Sequence, residues 1–153
     1  MIEPIYIQRP VRYGSCVFAL TAYAELIGVK NIVEDFHVTL AYSTEAVDWD
    51  KPAFQMDPRQ IMVNGGDPEG RRVENLGGAI VMGITSPEFT GRWAQFIMAG
   101  GSWNYPEYKP HITLGYDDTF NVSKVTAIHA PGIYFDGEQR EWLNTEHGSG
   151  SSG

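Results

Sequence analysis

Two short stretches carry residues whose types and spacing could do chemistry. FHVTLAYS (36–43) and YKPHITLGYD (108–117) each set a histidine two places before a threonine, inside an otherwise apolar run. Both continue to leucine, and both have an aromatic residue five places after the histidine, Tyr42 and Tyr116. In an extended strand, residues two apart share a face. His37 therefore sits beside Thr39, and His111 beside Thr113. Two imidazoles and two hydroxyls facing one cleft suit cleavage of a phosphodiester. One neutral imidazole takes the proton of an attacking hydroxyl, and a protonated one gives a proton to the departing oxygen. Each threonine donates to a phosphate oxygen as charge develops there. Which histidine is base and which is acid depends on substrate orientation, and both assignments stay open.

A single His-x-Thr is as readily a hydrogen-bonded structural histidine. The repetition, with its flanks and strand context, is what points to one shared site. Zinc would need a third ligand at a usual spacing, and threonine is not a usual one. No metal and no cofactor are expected. His129, in TAIHAPG, lacks the repeated context and reads as structural or exposed, and His147 adjoins the tail.

Elements must hold these motifs. CVFAL (16–20) reads as a strand and TAYAELIGV (21–29) as a helix ending near Gly28, followed by the first motif strand. GAIVMGIT (78–85) reads as a strand. SPEFTGRWAQFIMAGG (86–101) opens with a Ser-Pro cap and stops at a glycine pair, as a helix does, before the second motif strand. The motif histidines lie 111 − 37 = 74 positions apart, about half the chain. Strand–helix–strand is thus written twice, an internal pseudo-duplication. Simple alternation puts Phe36, Val38, Leu40 and Tyr42 on one face against His37, Thr39 and Ala41. It likewise sets Ile112, Leu114 and Tyr116 against His111, Thr113 and Gly115. Small Ala41 and Gly115 then read as room for a ligand close to the backbone. Between the halves, QIMVN and RRVENL read as strands joined by a Gly/Asp/Pro turn. GIYFDGEQREWLN (132–144) reads as a hairpin or edge strand with Asp-Gly as a turn. The fold class is α+β, with mixed or antiparallel sheets and a few helices.

Length fits one domain over 1–147, and the GSGSSG of 148–153 has flexible-linker composition. Net charge is −8, from 19 acidic against 11 basic residues. That balance argues against tracking along long DNA or RNA, which takes a basic face, but leaves room for a short nucleotide in a local cleft. Cys16 is the single cysteine, so no intramolecular disulfide forms, and a reducing cytoplasm is the expected compartment. Neither a membrane span nor a secretory signal is read.

The paired motifs resemble those of the 2H phosphoesterase superfamily. More narrowly, the HVTLAYS and YKPHITLGYD stretches, with the terminal GEQREWLN, resemble the small phage anti-CBASS nucleases within it. The resemblance implies a pseudo-symmetric two-lobed fold with a central cleft, and His37, Thr39, His111 and Thr113 as a metal-independent catalytic quartet. It implies a small cyclic di- or trinucleotide immune signal as partner, in the host cytoplasm if the chain is phage-encoded. The 3′–5′ bond would open through a 2′,3′-cyclic phosphate. Trp142 is expected as a base contact, since the family's terminal segment approaches the cleft, and Tyr13 as a second. Glu141 is the terminal acid chosen from Asp136, Glu138 and Glu141. Lys109, extended by the proline after it, is expected to reach a phosphate. Trp103, Tyr105 and Tyr108 are further stacking candidates, and Arg12, Arg71, Arg72 and Arg92 further cations. Two other readings stay open: a phosphodiesterase for 2′–5′ oligoadenylate or for RNA ends bearing 2′,3′-cyclic phosphate, and a binding module that sequesters a nucleotide uncut. Oligomeric state is not legible.

Overall fold

The structure, a computed structural model, describes residues 1–65 and 68–143. Along the chain run β1 (Ile2–Pro10), α1 (Ser15–Ile27), β2 (His37–Asp48), β3 (Ile61–Val63), β4 (Val73–Leu76) and β5 (Ala79–Gly83). Then follow α2 (Pro87–Met98), β6 (His111–Tyr116), β7 (Ile133–Phe135) and β8 (Gln139–Trp142). Six strands form one antiparallel sheet in the order β4-β5-β6-β2-β1-β8, and β3 pairs with β7 apart from it. The architecture is the α+β arrangement expected, with β1-α1-β2 and β5-α2-β6 as its two like halves. The halves meet where β2 lies against β6, through the single backbone pair Val38–Ile112.

CVFAL is not a strand: it is the first part of α1, and the strand of that half is β1. Leu20, Tyr23 and Ala24 are buried, with Cys16, Val17 and Ile27 packed beside them, a stripe in steps of three and four. That helical period outweighs the strand-like composition of five residues. Gly28, at φ 88°, ends the helix in the left-handed region as its position suggests. In α2, Ser86 caps by accepting a bond from the Phe89 amide, and Pro87 follows it at the first turn. The strands in 60–64 and 71–76 exist but belong to different sheets. Of the two readings of the terminal stretch, the edge strand holds and the hairpin does not: β8 lines the edge of the large sheet beside β1, and β7 pairs with β3.

Both helices cover one face of the large sheet. Ala41 and Ile5 look toward Trp93 and Phe96 of α2, and Gly115 abuts Val29 just after α1. A buried ion cluster secures the outer end. Arg9 pairs with Asp57 at 3.2 Å and also bonds the carbonyls of Arg59 and Asp136. Arg92 of α2 pairs with Glu138 at 2.8 Å. Arg59, hydrogen-bonded to Asp57, holds that carboxyl down at about 2. Among the described residues, no helix is long and apolar enough to cross a membrane.

Candidate active site

The register of the two halves is the same. In the first, Pro10, Gln8, Ile7 and Tyr6 stand opposite His37, Thr39, Ala41 and Tyr42. In the second, Gly83, Val81, Ile80 and Ala79 stand opposite His111, Thr113, Gly115 and Tyr116. Each pairing shifts by one residue at the same place, just after the threonine, which marks a β-bulge in each motif strand. Cross-strand partners share a face, so each bulge reverses the alternation beyond it. Tyr42 and Tyr116 therefore join the His/Thr face, and Ala41 and Gly115 leave it. The expected ligand space beside Ala41 and Gly115 is absent. A Cβ on Gly115 would lie 2.6 Å from Val29 Cγ1 and 2.7 Å from the Lys30 carbonyl oxygen, so close packing against α1's exit explains the glycine.

Across the β2–β6 junction the strands run antiparallel about Val38–Ile112, which sets His37 beside Thr113 and His111 beside Thr39. The quartet is thus gathered at one place. His37 Nδ1 lies 2.9 Å from the Asp35 carbonyl, and His111 Nδ1 lies 2.8 Å from the Lys109 carbonyl. A carbonyl only accepts, so each Nδ1 carries hydrogen and each Nε2 is the nitrogen that exchanges protons. The Tyr6 hydroxyl lies 3.0 Å from His37 Nε2 and 3.0 Å from Thr39 Oγ1. Burial, chiefly, pushes the Tyr6 phenol up to about 12, so it stays protonated. Thr113 Oγ1 is buried with no hydrogen-bond partner among the described residues.

Beyond Val38–Ile112 the two central strands part, and the loop 99–110 occupies the gap. Ser102 bonds Ser43 through its amide at 3.0 Å, and the Tyr108 hydroxyl donates to the Thr39 carbonyl at 2.7 Å. Tyr108 also stacks on Trp93 of α2 with ring centroids 5.2 Å apart. The loop thereby walls a cavity of about 420 Å³ lined by Thr39, Tyr42, Trp103, Tyr105, Lys109 and His111, among others. Its walls are aromatic and its floor carries one half of the quartet.

The remaining candidates divide. Lys109 lines this cavity and pairs with Glu107 at 3.3 Å. Glu141 stands opposite Tyr6 in β8 and so shares the His/Thr face. Trp142 stands opposite Ile5 and faces the other way, so the structure does not bring it to the cleft. Tyr13 is 80% exposed, edge-on to Phe18, and is not among the residues lining the cavity. Glu138 belongs to the Arg9–Arg92 cluster. Arg71 is buried against the carbonyls of His129, Pro131, Val63 and Asn64, and Arg72 pairs with Glu69. His129 is buried against the Tyr23 ring, and beside Arg71 its imidazole is depressed to about 4, chiefly by burial. His147 and the tail lie outside the described residues. Tyr6 was missed by sequence reasoning, although a lone tyrosine in IEPIYIQRP gives no signal until its strand is paired. The aromatic repeated at the fifth place was a signal, assigned to the wrong face.

A family model described as anti-CBASS protein Acb1 matches residues 3–149. The chain belongs to the Acb1 family. An Acb1 protein of Caulobacter sp. (strain RHG1) is 35% identical over 119 residues, covering 75% of this chain and 18% of its own length. One from Escherichia phage RB16 is 28% identical over 116 residues, covering 74% of this chain and 63% of its own. The chain thus spans less than a fifth of the first relative and under two thirds of the second. A crystal structure of E. coli LigT complexed with 3′-AMP matches with a TM-score of 0.54 at 13% identity, over 93% of this chain and 91% of LigT. The Acb1-family chain therefore has the LigT fold, and it is this fold that sets the two His-x-Thr strands side by side.

Proposed function

We propose that the chain is a phosphodiesterase that opens the 3′–5′ bond of small cyclic di- or trinucleotide immune signals, in an anti-CBASS role. The observation that carries this reading is the doubled register. Two His-x-Thr pairs share one face, with Nδ1 tied to a carbonyl in both and Nε2 turned to the reaction. In the proposed reaction one imidazole removes the proton of the 2′-hydroxyl, and that oxygen bonds to phosphorus. The P–O5′ bond breaks, and the second imidazole supplies the proton to O5′. The product is a 2′,3′-cyclic phosphate, which water opens by the reverse use of the two imidazoles. Thr39 and Thr113 donate to the phosphate oxygens. Family membership and the aromatic cavity beside Thr39 and His111 support a nucleotide substrate, since bases stack on such walls at about 1–3 kcal/mol each. Lys109, which lines the cavity, and Glu141, on the face of the His-x-Thr pairs, are the contacts proposed for it.

The test is incubation with 3′,3′-cyclic GMP–AMP in EDTA, with products resolved by chromatography and mass spectrometry. A linear dinucleotide is expected. Cleavage confined to 2′–5′ oligoadenylate or to 2′,3′-cyclic phosphate ends would keep the chemistry and overturn the substrate. Tight binding without any linear product would make the chain a sequestering protein.

A further inference from the structure

The cavity beside Thr39 and His111 is apolar on most of its wall and charged at one place. Its volume of about 420 Å³ lies in the range that takes a small ligand. Tyr42 and Leu76 line it from the sheet, and Trp103 and Tyr105 from the loop 99–110. Glu107 and Lys109 are the acidic and basic side chains of its lining, paired at 3.3 Å. Their side chains are 68% and 71% exposed, and a pair so open to water adds little to stability.

The backbone that carries the pair is held. The Trp103 indole N–H donates to the Glu107 carbonyl at 3.1 Å, which closes 103–107 into a turn. Tyr105 and Tyr108 meet the Trp103 ring edge-on, with centroids 5.6 and 5.5 Å away. Tyr108 is in turn stacked on Trp93 and bonded to the Thr39 carbonyl. A ligand therefore has only the Glu107 and Lys109 side chains left to order, and the cost of ordering is small.

We infer that this cavity selects guanine, with Glu107 as the specificity-determining residue and Lys109 as its partner. The inference deepens the phosphodiesterase reading above and rests on it for the choice of a nucleotide as ligand. Aromatic walls stack on any base, so a preference has to come from polar groups at the ring edge. Guanine sets two donors side by side, N1–H and N2–H, with the O6 acceptor next to them. A carboxylate takes two parallel hydrogens on its two oxygens, and an ammonium beside it suits O6. Adenine reverses the pattern. It turns the N1 lone pair to the carboxylate and the N6 amino group to the ammonium, and polar groups left unpaired in this way cost affinity. Uracil offers one N–H between two carbonyl oxygens, and cytosine one amino group beside a lone pair. Guanine alone gives the carboxylate two hydrogens and the ammonium an acceptor. The Lys109 contact is then with a base atom rather than with a phosphate.

The test is calorimetric titration of wild type, Glu107→Gln and Lys109→Met with 3′-GMP, 3′-IMP and 3′-AMP. Turnover of 3′,3′-cyclic GMP–AMP is compared with that of 3′,3′-cyclic di-AMP alongside. Hypoxanthine, the base of 3′-IMP, keeps N1–H and O6 but lacks the 2-amino group. Wild type should bind 3′-GMP about 5–150-fold more tightly than 3′-AMP, the discrimination of one bidentate contact, with 3′-IMP between them. Glu107→Gln should bring the 3′-GMP to 3′-AMP ratio to within about threefold of unity, and Lys109→Met should narrow it. The preference for cyclic GMP–AMP over cyclic di-AMP should shrink in the same variants. Equal wild-type affinities, a full preference surviving in Glu107→Gln, or 3′-IMP binding as tightly as 3′-GMP overturns the inference. An equal loss for all three nucleotides in Lys109→Met would put its ammonium on the phosphate and overturn the O6 contact. Guanine preference in binding with neither cyclic dinucleotide cut would uphold the pocket and overturn the phosphodiesterase reading. Cleavage of both without preference would do the reverse.

Discussion

The two threonines of the quartet are the same residue in different circumstances, and that difference separates structural from catalytic worth. Thr39 is hydrogen-bonded to Tyr6, whereas Thr113 is buried with its hydroxyl unpartnered among the described residues. A buried hydroxyl without a partner carries a desolvation cost and no compensating bond. Thr113→Val should therefore leave stability within about 1 kcal/mol of wild type or raise it, while Thr39→Val loses a bond worth about 1 kcal/mol. Turnover should fall in both, by about 10²–10³-fold for a lost donor to the transition-state oxygen. Thermal melts and kcat/KM on one preparation check the pair, and a Thr113→Val enzyme of full activity would remove Thr113 from the site. At this scale the quartet was legible because it was doubled. Trp142 and Glu141 were not separable, because neighbours in a strand point to opposite faces and only the pairing of β8 with β1 says which faces the cleft.

Strand alternation failed at one place, and it failed twice in the same way. A bulge adds a residue without changing composition, so the sequence from Thr39 to Tyr42 reads as regular alternation while the register shows the turn-over. The same device brings Tyr42 and Tyr116 to the working face and turns Gly115 into the back of the sheet. There a methyl group would meet the Lys30 and Asn31 carbonyl oxygens at 2.7 and 2.8 Å. Backbone cannot rotate aside as a side chain does. Gly115→Ala is thus expected to destabilise the protein by about 1–3 kcal/mol, seen as a lower Tm. An unchanged melting curve would show that the α1–β2 connection yields freely. The helix α2 was readable from its cap and its glycine stop. The second part of α1 and its stop at Gly28 were readable too, but its start was not, because five apolar residues there suit either period and only the burial of Leu20, Tyr23 and Ala24 decides.

For the molecule as a whole, the duplication was legible and the assembly was not. Nothing in the sequence says that β1 and β5 are the corresponding strands, or that the halves touch through one backbone pair. Nor does it say that β3 and β7, far apart in sequence, leave the main sheet together. Those are long-range pairings, fixed by packing. The overall charge of −8 is compatible with a nucleotide site because the cavity beside Thr39 and His111 is walled by Tyr42, Trp103, Tyr105 and Tyr108, with Lys109 and Glu107 as a locally balanced pair. The central claim is that both halves act on one phosphodiester. It is tested most directly by measuring binding and turnover of 3′,3′-cyclic GMP–AMP for wild type, His37→Ala and His111→Ala. Retained binding in all three, with turnover abolished in each single variant, is the predicted result. Turnover surviving either substitution at near wild-type rate would show that one half suffices, and would contradict the account.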